Sequence, residues 1–459
     1  MEEEKIYIYH TNDLHSDFEY WPRIQKELLK RQAAHEENGD LVLTFDIGDA
    51  ADRVHPLIEA TNGQVISQLF NETGYDAVTI GNNEGITYSK EVLNELYQEA
   101  NFPVLLFNLK EKETNQEPDW AEAYKIIETK NGKKLGVFGL TSPFYESYEQ
   151  LGWTVLDPIA ATEKFMKEHQ DKADFWILLS HLGIETDIEL AQDFPIPLII
   201  GAHTHHVLKN GKKVAGSWLA AAGKSGAYLG EIQLGYQQDD LIVEQVQLLD
   251  SEDDLAPVPR EEELVAGYLE KGHDLLSEKI ISYVPKTYKK ALFERSPLLG
   301  LLLDAISDFA GTEVALLNAG LLMEDLEAGA VTADDLHRML PHPIRVMKAE
   351  VKGRDLPELI EKLLRADRLI YDKKPKGNGF RGEEFGKIYS KGIRIKEGKV
   401  YWLGEALEED KNYIFATVDY LSFYSIFDSL NTHTTQTVYF SKLLREVFGD
   451  YLAKRFAEK

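Results

Sequence analysis

Short apolar runs recur along the first half of the chain, and several of them stop at polar residues or at glycine. They occupy residues 6–10, 41–45, 77–80, 104–108, 135–140, 175–179 and 199–201. Runs of this length with polar or turn-forming boundaries are typical of buried strands. Helical spacing separates some of them, through Ile24, Leu28 and Leu29 and from about residue 56 to 70. The alternation predicts an α/β fold, with a parallel or mixed sheet covered on both faces.

The later part of this region changes character. Three more strand patterns follow without helices between them, at residues 214–222, 230–236 and 241–248. Neighbouring strands joined by short connections pair antiparallel, so the sheet is expected to finish antiparallel and the fold to be α+β in part.

The composition changes again after Leu249. An acidic run at residues 250–254 and two prolines precede a predicted helix at about 261–280. A strong helical pattern then opens a second, smaller domain, through Leu298, Leu302, Ile306 and Phe309. The predicted domains are residues 1–250 and 289–459, and residues 251–288 form a connector that contains a helix.

Charge and length narrow the function. At 459 residues the chain is too long for a single core. The 50 basic and 78 acidic residues leave a net charge of -28, which repels a long polyanion and disfavours a nucleic acid polymer as partner. Small anionic substrates remain compatible with this negative charge if bound metal ions concentrate positive charge locally. The sequence has no cysteine, so metal ligands must be oxygen or imidazole.

The sequence also bears on localisation. The first residues are acidic and lead directly into a strand, without the basic and then apolar pattern of a secretory signal. No stretch approaches the ~18 to 20 apolar residues that cross a bilayer. A cytoplasmic protein without a membrane partner is therefore expected.

Ligand-type residues collect where the predicted strands end. The residues are Asp13, His15, Asp49, Asn82, His181, His203 and His205. Two of the pairs are spaced two apart, which is the side-chain period of an extended backbone, so each pair can face one site. The carboxyl ends of strands in α/β sheets gather functional groups, and oxygen and imidazole donors suit Mn, Fe, Zn or Co. If one carboxylate is shared, the seven residues make two four-ligand sets, which indicates a two-metal hydrolase.

The order of these motifs resembles the calcineurin-like metallophosphoesterases. The series Asp-x-His, Gly-Asp, Gly-Asn-x-Glu, His and Gly-x-His-x-His spans residues 6–206, and its Thr-Asn-Asp-x-His opening is similar to the 5'-nucleotidase branch. The resemblance implies a four-layer αββα sandwich with a smaller α/β C-terminal substrate-binding domain. It implies that Asp13, His15, Asp49 and His205 hold one ion, and that Asp49, Asn82, His181 and His203 hold the other. Metal-activated hydroxide is then expected to attack a phosphate ester.

The motif after the third strand departs from the family. Most nucleotidases of this family have Gly-Asn-His-Glu there, with an aspartate that orients the histidine. This chain has Asn83 at the histidine position and Ile86 at the aspartate position. Asn83 is the catalytic candidate because it can donate a hydrogen bond to a phosphoryl oxygen, but an amide cannot deliver a proton to a leaving alkoxide.

Other polar residues near the motifs allow two interpretations. Arg53 and His55 follow Asp49 closely and could contact phosphate or be ordinary loop residues. His206 has no motif partner. His10 lies within the first strand and is expected to be packed.

The second domain keeps only part of the family's substrate motifs. Asn318 and Gly320 align with a family Asn-x-Gly-x-x-Arg motif, but Met323 replaces the arginine. Tyr420, Phe423 and Tyr424 could stack on a substrate ring, or could be packed or rim aromatics. Arg345 is a candidate anion contact. The predicted substrate-binding residues are therefore Asn318, Gly320, Arg345, Tyr420 and Phe423.

Three functions remain open at this stage. The leading one is hydrolysis of a small-molecule phosphate ester, with a nucleotide as the leading substrate and two divalent metal ions as cofactors. The first alternative is a cyclic-nucleotide phosphodiesterase or a hydrolase of nucleotide sugars or anhydrides. The second, from another class, is a catalytically weak protein that binds metal and ligand. The sequence does not determine the metal or the oligomeric state.

Overall fold

A computed structural model describes residues 4–365, 379–424 and 427–457. The chain forms two compact units, Met1–Gly272 and His273–Lys459. This division falls within the predicted connector, and the exact domain limits given above stay a prediction. Within the described residues, no helix combines the length and the apolar character that crossing a membrane requires.

The first unit alternates strands and helices. Its strands are β1 Ile6–Thr11, β2 Leu41–Asp46, β3 Ala77–Val78, β4 Val104–Leu105, β5 Leu109–Glu111, β6 Ala121–Glu122, β7 Lys125–Glu128, β8 Lys134–Thr141, β9 Trp153–Val155, β10 Phe175–His181, β11 Leu198–Gly201, β12 Lys212–Val214, β13 Ser217–Ala220, β14 Tyr228–Gln237 and β15 Asp240–Asp250. Its helices are α1 Trp21–Asn38, α2 Pro56–Ala60, α3 Gln64–Thr73, α4 Asn82–Thr87, α5 Lys90–Leu96, α6 Tyr145–Gln150, α7 Pro158–His169 and α8 Ile184–Asp193. The helix α9 Glu261–Ser277 contains the boundary with the second unit.

Two mixed sheets form the centre of this unit. The first has the strand order β15-β14-β1-β2-β3-β4-β6, and the second has the order β12-β13-β11-β10-β8-β7. The strands β1, β2, β3 and β4 pair parallel, and so do β8, β10, β11 and β13. The strands β14 and β15 pair antiparallel, so the predicted antiparallel finish is confirmed.

The sheets pack face to face around one apolar core. Ile8 and Phe45 from the first sheet and Val137 and Leu179 from the second belong to the same buried cluster. Phe138 and Trp176 point to the other face of the second sheet, where residues of α7 and α8 cover them. The helix α1 packs against β2 on the first sheet. The helix, sheet, sheet and helix layers confirm the predicted four-layer sandwich.

Some predicted elements are interrupted by local backbone geometry. The helix predicted from 56 to 70 divides into α2 and α3, because Gly63 between them adopts a left-handed φ of 81°. The strand predicted over 214–222 is instead a hairpin, in which Val214 pairs antiparallel with Ser217 around Ala215 and Gly216. The strands predicted at 77–80 and 104–108 are only two residues long.

The second unit is a smaller α/β structure. Its strands are β16 Ile280–Val284, β17 Ala315–Asn318, β18 Gly329–Thr332, β19 Arg345–Lys352, β20 Ile388–Lys391, β21 Ile393–Lys396, β22 Lys399–Trp402, β23 Glu405–Ala406, β24 Asn412–Val418 and β25 Thr434–Leu443. Its helices are α10 Pro297–Ala310, α11 Ala333–Met339, α12 Leu356–Leu364, α13 Asp428–His433 and α14 Leu444–Arg455. A sheet of order β20-β17-β24-β19-β25 is packed by α10, the apolar helix predicted from the sequence.

Candidate metal centre

The predicted ligands lie where parallel strands of the two sheets end. Asp13 and His15 follow β1, Asp49 follows β2, and Asn82 follows β3 at the start of α4. His181 is the last residue of β10, and His203 and His205 follow β11. Because neighbouring parallel strands end at the same edge, residues distant in sequence meet there.

The first group of ligand atoms is formed by Asp13, His15 and His205. The Nε2 atoms of His15 and His205 are 3.1 Å apart. Both face Asp13 Oδ1, at 3.9 Å from His15 and 3.5 Å from His205. Two imidazoles that ligate one ion through bonds of about 2.0 to 2.1 Å bring their nitrogens to about this separation.

The second group is formed by Asp49, His181 and His203. His181 Nε2 lies 3.5 Å from Asp49 Oδ1. On the other side of its ring, His181 Nδ1 donates a hydrogen bond to the carbonyl oxygen of Ile47 at 2.7 Å. A carbonyl can only accept, so this bond leaves Nε2 as the nitrogen available to a metal.

Asp49 lies between the two groups. Its Oδ1 faces His181, and its Oδ2 is 3.9 Å from His15 Nε2. The backbone N–H of His203 donates to the carboxylate of Asp13, at 3.0 Å to Oδ2, which ties the end of β11 to the end of β1. Six of the seven predicted ligands therefore lie in these two groups, with Asp49 positioned to serve both, and Asn82 begins α4 after the neighbouring strand β3.

Two buried atoms test whether this site fits a divalent metal. Within the described part of the chain, His181 Nε2 and Asn82 Oδ1 are buried and have no hydrogen-bond partner. A buried polar atom without a partner is costly, and an ion at the site would satisfy both. The donor set of carboxylate, amide oxygen and imidazole suits a divalent first-row metal.

The backbone at the site is strained in a consistent way. Positive φ angles occur at five of the seven candidate ligands, which are Asp13, His15, Asp49, His203 and His205, at 50°, 49°, 54°, 72° and 55°. Residues other than glycine seldom adopt this left-handed conformation, and such residues cluster at functional sites. The surrounding structure must therefore hold these side chains in place.

Glu84 holds the loop that carries Asp49. Its buried carboxylate accepts hydrogen bonds from the backbone N–H groups of Asp49 at 2.9 Å, Ala51 at 2.8 Å and Gly81 at 2.9 Å. Asn12 holds the carboxylate of Asp13 in a similar way. Its Nδ2 donates to Asp13 Oδ2 at 2.9 Å and to the carbonyl oxygen of Gly223 at 2.8 Å. Sequence reasoning quoted both residues within their motifs without assigning these roles.

The electrostatics of the second group follow from the ion pair at its centre. Burial lowers the pKa of His181, but the neighbouring Asp49 carboxylate outweighs burial and raises the pKa to about 10. Burial raises the pKa of Asp49, and His181 more than reverses this, so the Asp49 pKa lies below its usual range. Burial and the nearby His181 charge lower the pKa of His203.

The structure gives Asn83 two contacts at the site. Its backbone N–H donates to Asp49 Oδ1 at 2.7 Å, and its side-chain amide lies 3.0 Å from His15 Nδ1. The amide of Asn83 therefore reaches the first ligand group, and its action on the substrate stays a prediction.

Three of the other polar residues near the motifs contact neighbouring protein groups. Arg53 forms an ion pair with Glu59 at 2.8 Å, and His55 Nδ1 accepts from the backbone N–H of Leu57 at 3.2 Å to cap α2. His206 contacts the hydroxyl of Thr204. His10 is fully buried, as expected, and burial lowers its pKa to about 4. These contacts favour the structural interpretation of Arg53 and His55.

The predicted substrate residues of the second unit are mostly in its interior. Tyr420 has 0% exposure, its hydroxyl donates to Asn318 Oδ1, and its ring stacks on Phe380 at 5.4 Å. A Cβ on Gly320 would stand 2.0 Å from the carbonyl oxygen of Glu384, so this buried glycine permits close backbone packing. This packing does not support a role for Tyr420 or Asn318 in direct substrate contact.

Arg345 and Phe423 differ from each other in exposure. Arg345 is buried, its backbone N–H donates to Asp419 Oδ1 at 3.1 Å, and its guanidinium lies 4.9 Å from the ring centre of Phe440. Phe423 is 60% exposed, so its ring is accessible for stacking. Direct substrate contact by either residue stays a prediction.

This arrangement defines a class of protein: a four-layer α/β sandwich with candidate metal ligands at its strand ends. Residues 6–207 match the calcineurin-like phosphoesterase family, and residues 283–424 match the 5'-nucleotidase C-terminal domain. The chain thus belongs to the calcineurin-like metallophosphoesterases with a 5'-nucleotidase C-terminal domain, and it is a phosphoester hydrolase. Members of this family use divalent metals.

Individual relatives agree with this membership. The uncharacterized metallophosphoesterase YunD of Bacillus subtilis (strain 168) is 35% identical over 98% of this chain and 100% of its own length. A 5'-nucleotidase of Vibrio vulnificus (strain CMCP6) is 23% identical over 91% of this chain and 84% of its own. The solved NAD nucleotidase of Haemophilus influenzae, at 16% identity, has a TM-score of 0.66 over 99% of this chain and 97% of its own, which shows a shared fold.

Proposed function

We propose that the first unit hydrolyses phosphate esters of small molecules, nucleotides above all, with two divalent metal ions. Asp13, His15, Asp49 and His205 would hold one ion, and Asp49, Asn82, His181 and His203 would hold the other. The observation that carries the proposal is the position of Asp49, whose two carboxylate oxygens face His15 and His181 at 3.9 and 3.5 Å. A cytoplasmic location stays a prediction.

The protein's contribution to this chemistry is position and charge. Divalent ions, when bound, polarise phosphoryl oxygens and lower the pKa of water toward neutrality. Asp13 and Asp49 supply buried negative charge that favours cations, and Ile47 orients His181 through its carbonyl oxygen. Glu84 fixes the Asp49 loop through hydrogen bonds from the backbone N–H groups of Asp49 and Ala51. A preorganised site of this kind does not need to rearrange during the reaction.

The substrate preference is proposed from Asn83. A sugar alkoxide is a poor leaving group, and a positioned general acid contributes about 10²- to 10⁴-fold. The carboxamide of Asn83 cannot supply that proton. Phosphoanhydrides and aryl phosphates release weakly basic anions, so they depend less on an acid. We therefore expect anhydride bonds, as in nucleotide sugars, and aryl esters to be cleaved in preference to AMP.

A binding protein without turnover is the competing function. The position of Asp49 argues against it, because binding alone does not require a carboxylate between two ligand groups. The names of the similar proteins, a 5'-nucleotidase and an NAD nucleotidase, support a nucleotide substrate.

Turnover and metal content together test the proposal. Purified protein would be loaded with Mn²⁺, Co²⁺ or Zn²⁺ and assayed with AMP, cyclic AMP, a nucleotide sugar and p-nitrophenyl phosphate. Two ions per chain and hydrolysis of at least one phosphate ester are expected, and the Asp49→Asn variant should lose both. Two bound ions without any turnover would favour the binding protein, and full activity after verified metal removal would refute the proposal.

A further inference from the structure

We propose that Asn83 is a positioning residue for His15. In the metal-binding state its side-chain oxygen would accept a hydrogen bond from His15 Nδ1–H, so that the lone pair of His15 Nε2 faces the first ligand group. This inference rests on the proposed function. It gives Asn83 a different task from contact with the leaving group.

The direction of the His15 ring makes such an acceptor necessary. His15 Nε2 faces the site, at 3.1 Å from His205 Nε2 and 3.9 Å from Asp13 Oδ1. A neutral imidazole carries one proton, so a ring that ligates through Nε2 carries its proton on Nδ1. That N–H lies on the far side of the ring and requires a partner.

In the second group, His181 has a hydrogen-bond acceptor for its Nδ1–H. Its Nδ1 donates to the carbonyl oxygen of Ile47 at 2.7 Å, which fixes both the tautomer and the ring orientation. For His15 the corresponding nearest group is the Asn83 side-chain amide, at 3.0 Å from Nδ1. The carboxylate of Asp52 is farther from this nitrogen, with Oδ2 at 3.7 Å.

The two ends of the Asn83 amide correspond to the two tautomers of His15. In this structure Asn83 Nδ2 faces His15 Nδ1, and Oδ1 lies 3.3 Å from Asn82 Nδ2. This orientation suits a ring with its proton on Nε2. When the proton is on Nδ1 instead, half a turn of the amide brings Oδ1 to His15, at the expense of the long contact with Asn82. The ring's proton count does not change, because one proton leaves Nε2 and one joins Nδ1.

The consequence is that Asn83 acts on the metal through His15. Partners of this kind typically change metal affinity by about 10- to 100-fold. Alanine at position 83 would leave His15 without its orienting group, whereas aspartate would keep an acceptor at the same place. A residue that only fills space would not discriminate between these two replacements.

Competition with a chromophoric zinc chelator at fixed pH measures the effect on the full-length protein. We expect two Zn²⁺ ions to bind, and Asn83→Ala to weaken one of them about 10- to 100-fold. Asn83→Asp should bind within about threefold of the unsubstituted protein or more tightly. Asn101→Ala, at an exposed position, is the control and should match the unsubstituted protein. Unchanged binding by Asn83→Ala, or binding by Asn83→Asp as weak as that of Asn83→Ala, would overturn the inference.

A second measurement does not depend on substitutions at position 83. In zinc-loaded protein with ¹⁵N-labelled histidine, a hydrogen-bonded Nδ1–H signal of His15, assigned with a His15→Gln sample, is expected. Its absence would overturn the inference even if the Asn83 variants failed to fold. If the unsubstituted protein binds no metal, the proposed function itself fails. Binding of two ions without any effect at position 83 leaves the proposed function standing and rejects only the role of Asn83.

Discussion

Gly81 lies so close to Asp49 that a Cβ at residue 81 would stand 2.1 Å from the Oδ1 atom of Asp49. The backbone of Gly81 has φ of -96° and ψ of -169°, a conformation that any residue can adopt. Glycine is therefore needed here for space and not for backbone freedom. The contact connects the end of β3 to the carboxylate that faces both ligand groups.

Gly81→Ala should displace the Asp49 carboxylate. A misplacement of about 1 Å at a catalytic site can cost about 10²-fold in rate, and overpacking typically destabilises a fold by about 1 to 3 kcal/mol. We expect loss of tightly bound metal and a fall in kcat/KM of about 10²-fold or more. Metal analysis, kinetics and urea unfolding measure these effects. Gly216→Ala is the matched control, because a Cβ there meets nothing within 4 Å. Equal behaviour of the two variants would contradict the prediction.

Metal binding should strengthen as pH rises. In the metal-free protein the pKa of His181 is raised to about 10, so the imidazole is protonated at neutral pH. Ligation needs the neutral ring, and binding must therefore release this proton. Between pH 7 and 9 the apparent dissociation constant of the second ion should fall about tenfold per pH unit. Chelator competition at several pH values measures this slope, and a constant affinity across that range would show that His181 is not protonated before binding.

Asp187 should make the stability of the fold depend on pH. Burial raises the pKa of its carboxyl group to about 7, and Ser180 Oγ donates to its Oδ1 at 2.5 Å. The pKa of Asp187 is higher in the folded protein than in the unfolded chain. The protonated carboxyl group therefore contributes its full stabilisation below about pH 4, and this contribution is lost as pH rises through about 7. Asp187→Asn should therefore gain stability relative to the unsubstituted protein between pH 4 and 8, by on the order of 3 to 4 kcal/mol.

Urea unfolding at pH 4, 6 and 8 tests this expectation for Asp187. Asp193→Asn, at the exposed end of the same helix, serves as the control. If the difference between the Asp187→Asn variant and the unsubstituted protein is the same at all three pH values, the carboxyl group does not ionise in this range.

Restoring a proton donor should favour poor leaving groups. The double substitution Asn83→His and Ile86→Asp introduces the acid and its orienting carboxylate, whose contribution is typically about 10²- to 10⁴-fold. We expect AMP turnover to rise by about tenfold or more. The rise should be smaller than the full contribution of a general acid because His15 loses its Asn83 partner at the same time. Turnover of p-nitrophenyl phosphate should rise much less. The single Ile86→Asp variant is the control, and an equal rise for both substrates would show that leaving-group protonation is not limiting.

Simple periodicities predicted the alternating strands and helices of the first unit, whereas the four-layer arrangement was implied by the family resemblance, and the ligand roles stay a prediction. Apolar runs ending in Asp, Asn or His mark the strand ends, and the parallel pairing of β1, β2 and β3 brings those ends together. Asp49 and His181 are 132 residues apart in sequence, yet the sheet edge places them 3.5 Å apart. The pattern could not give the length of the short strands, because pairing partners and not propensity decide where β3 and β4 end.

The second unit was harder to predict for a physical reason. An aromatic residue in a motif can be a binding surface or part of a core, and only burial distinguishes the two. Tyr420 belongs to a stack in which Phe380 lies between it and His342, at 5.4 and 5.2 Å. Phe423, only three residues later, is exposed. No period in the sequence separates these outcomes, because Tyr420 and Phe423 lie together in the short 3-10 helix Asp419–Phe423.

The left-handed backbone at five ligand positions places stability and activity in conflict. Each such residue costs on the order of 1 kcal/mol that glycine would not. His205 is the clearest case, with a φ of 55° and a side chain 35% exposed, so that glycine there would relieve strain and remove few contacts. In the metal-free protein His205 therefore costs stability, and an ion bound to its imidazole would offset that cost.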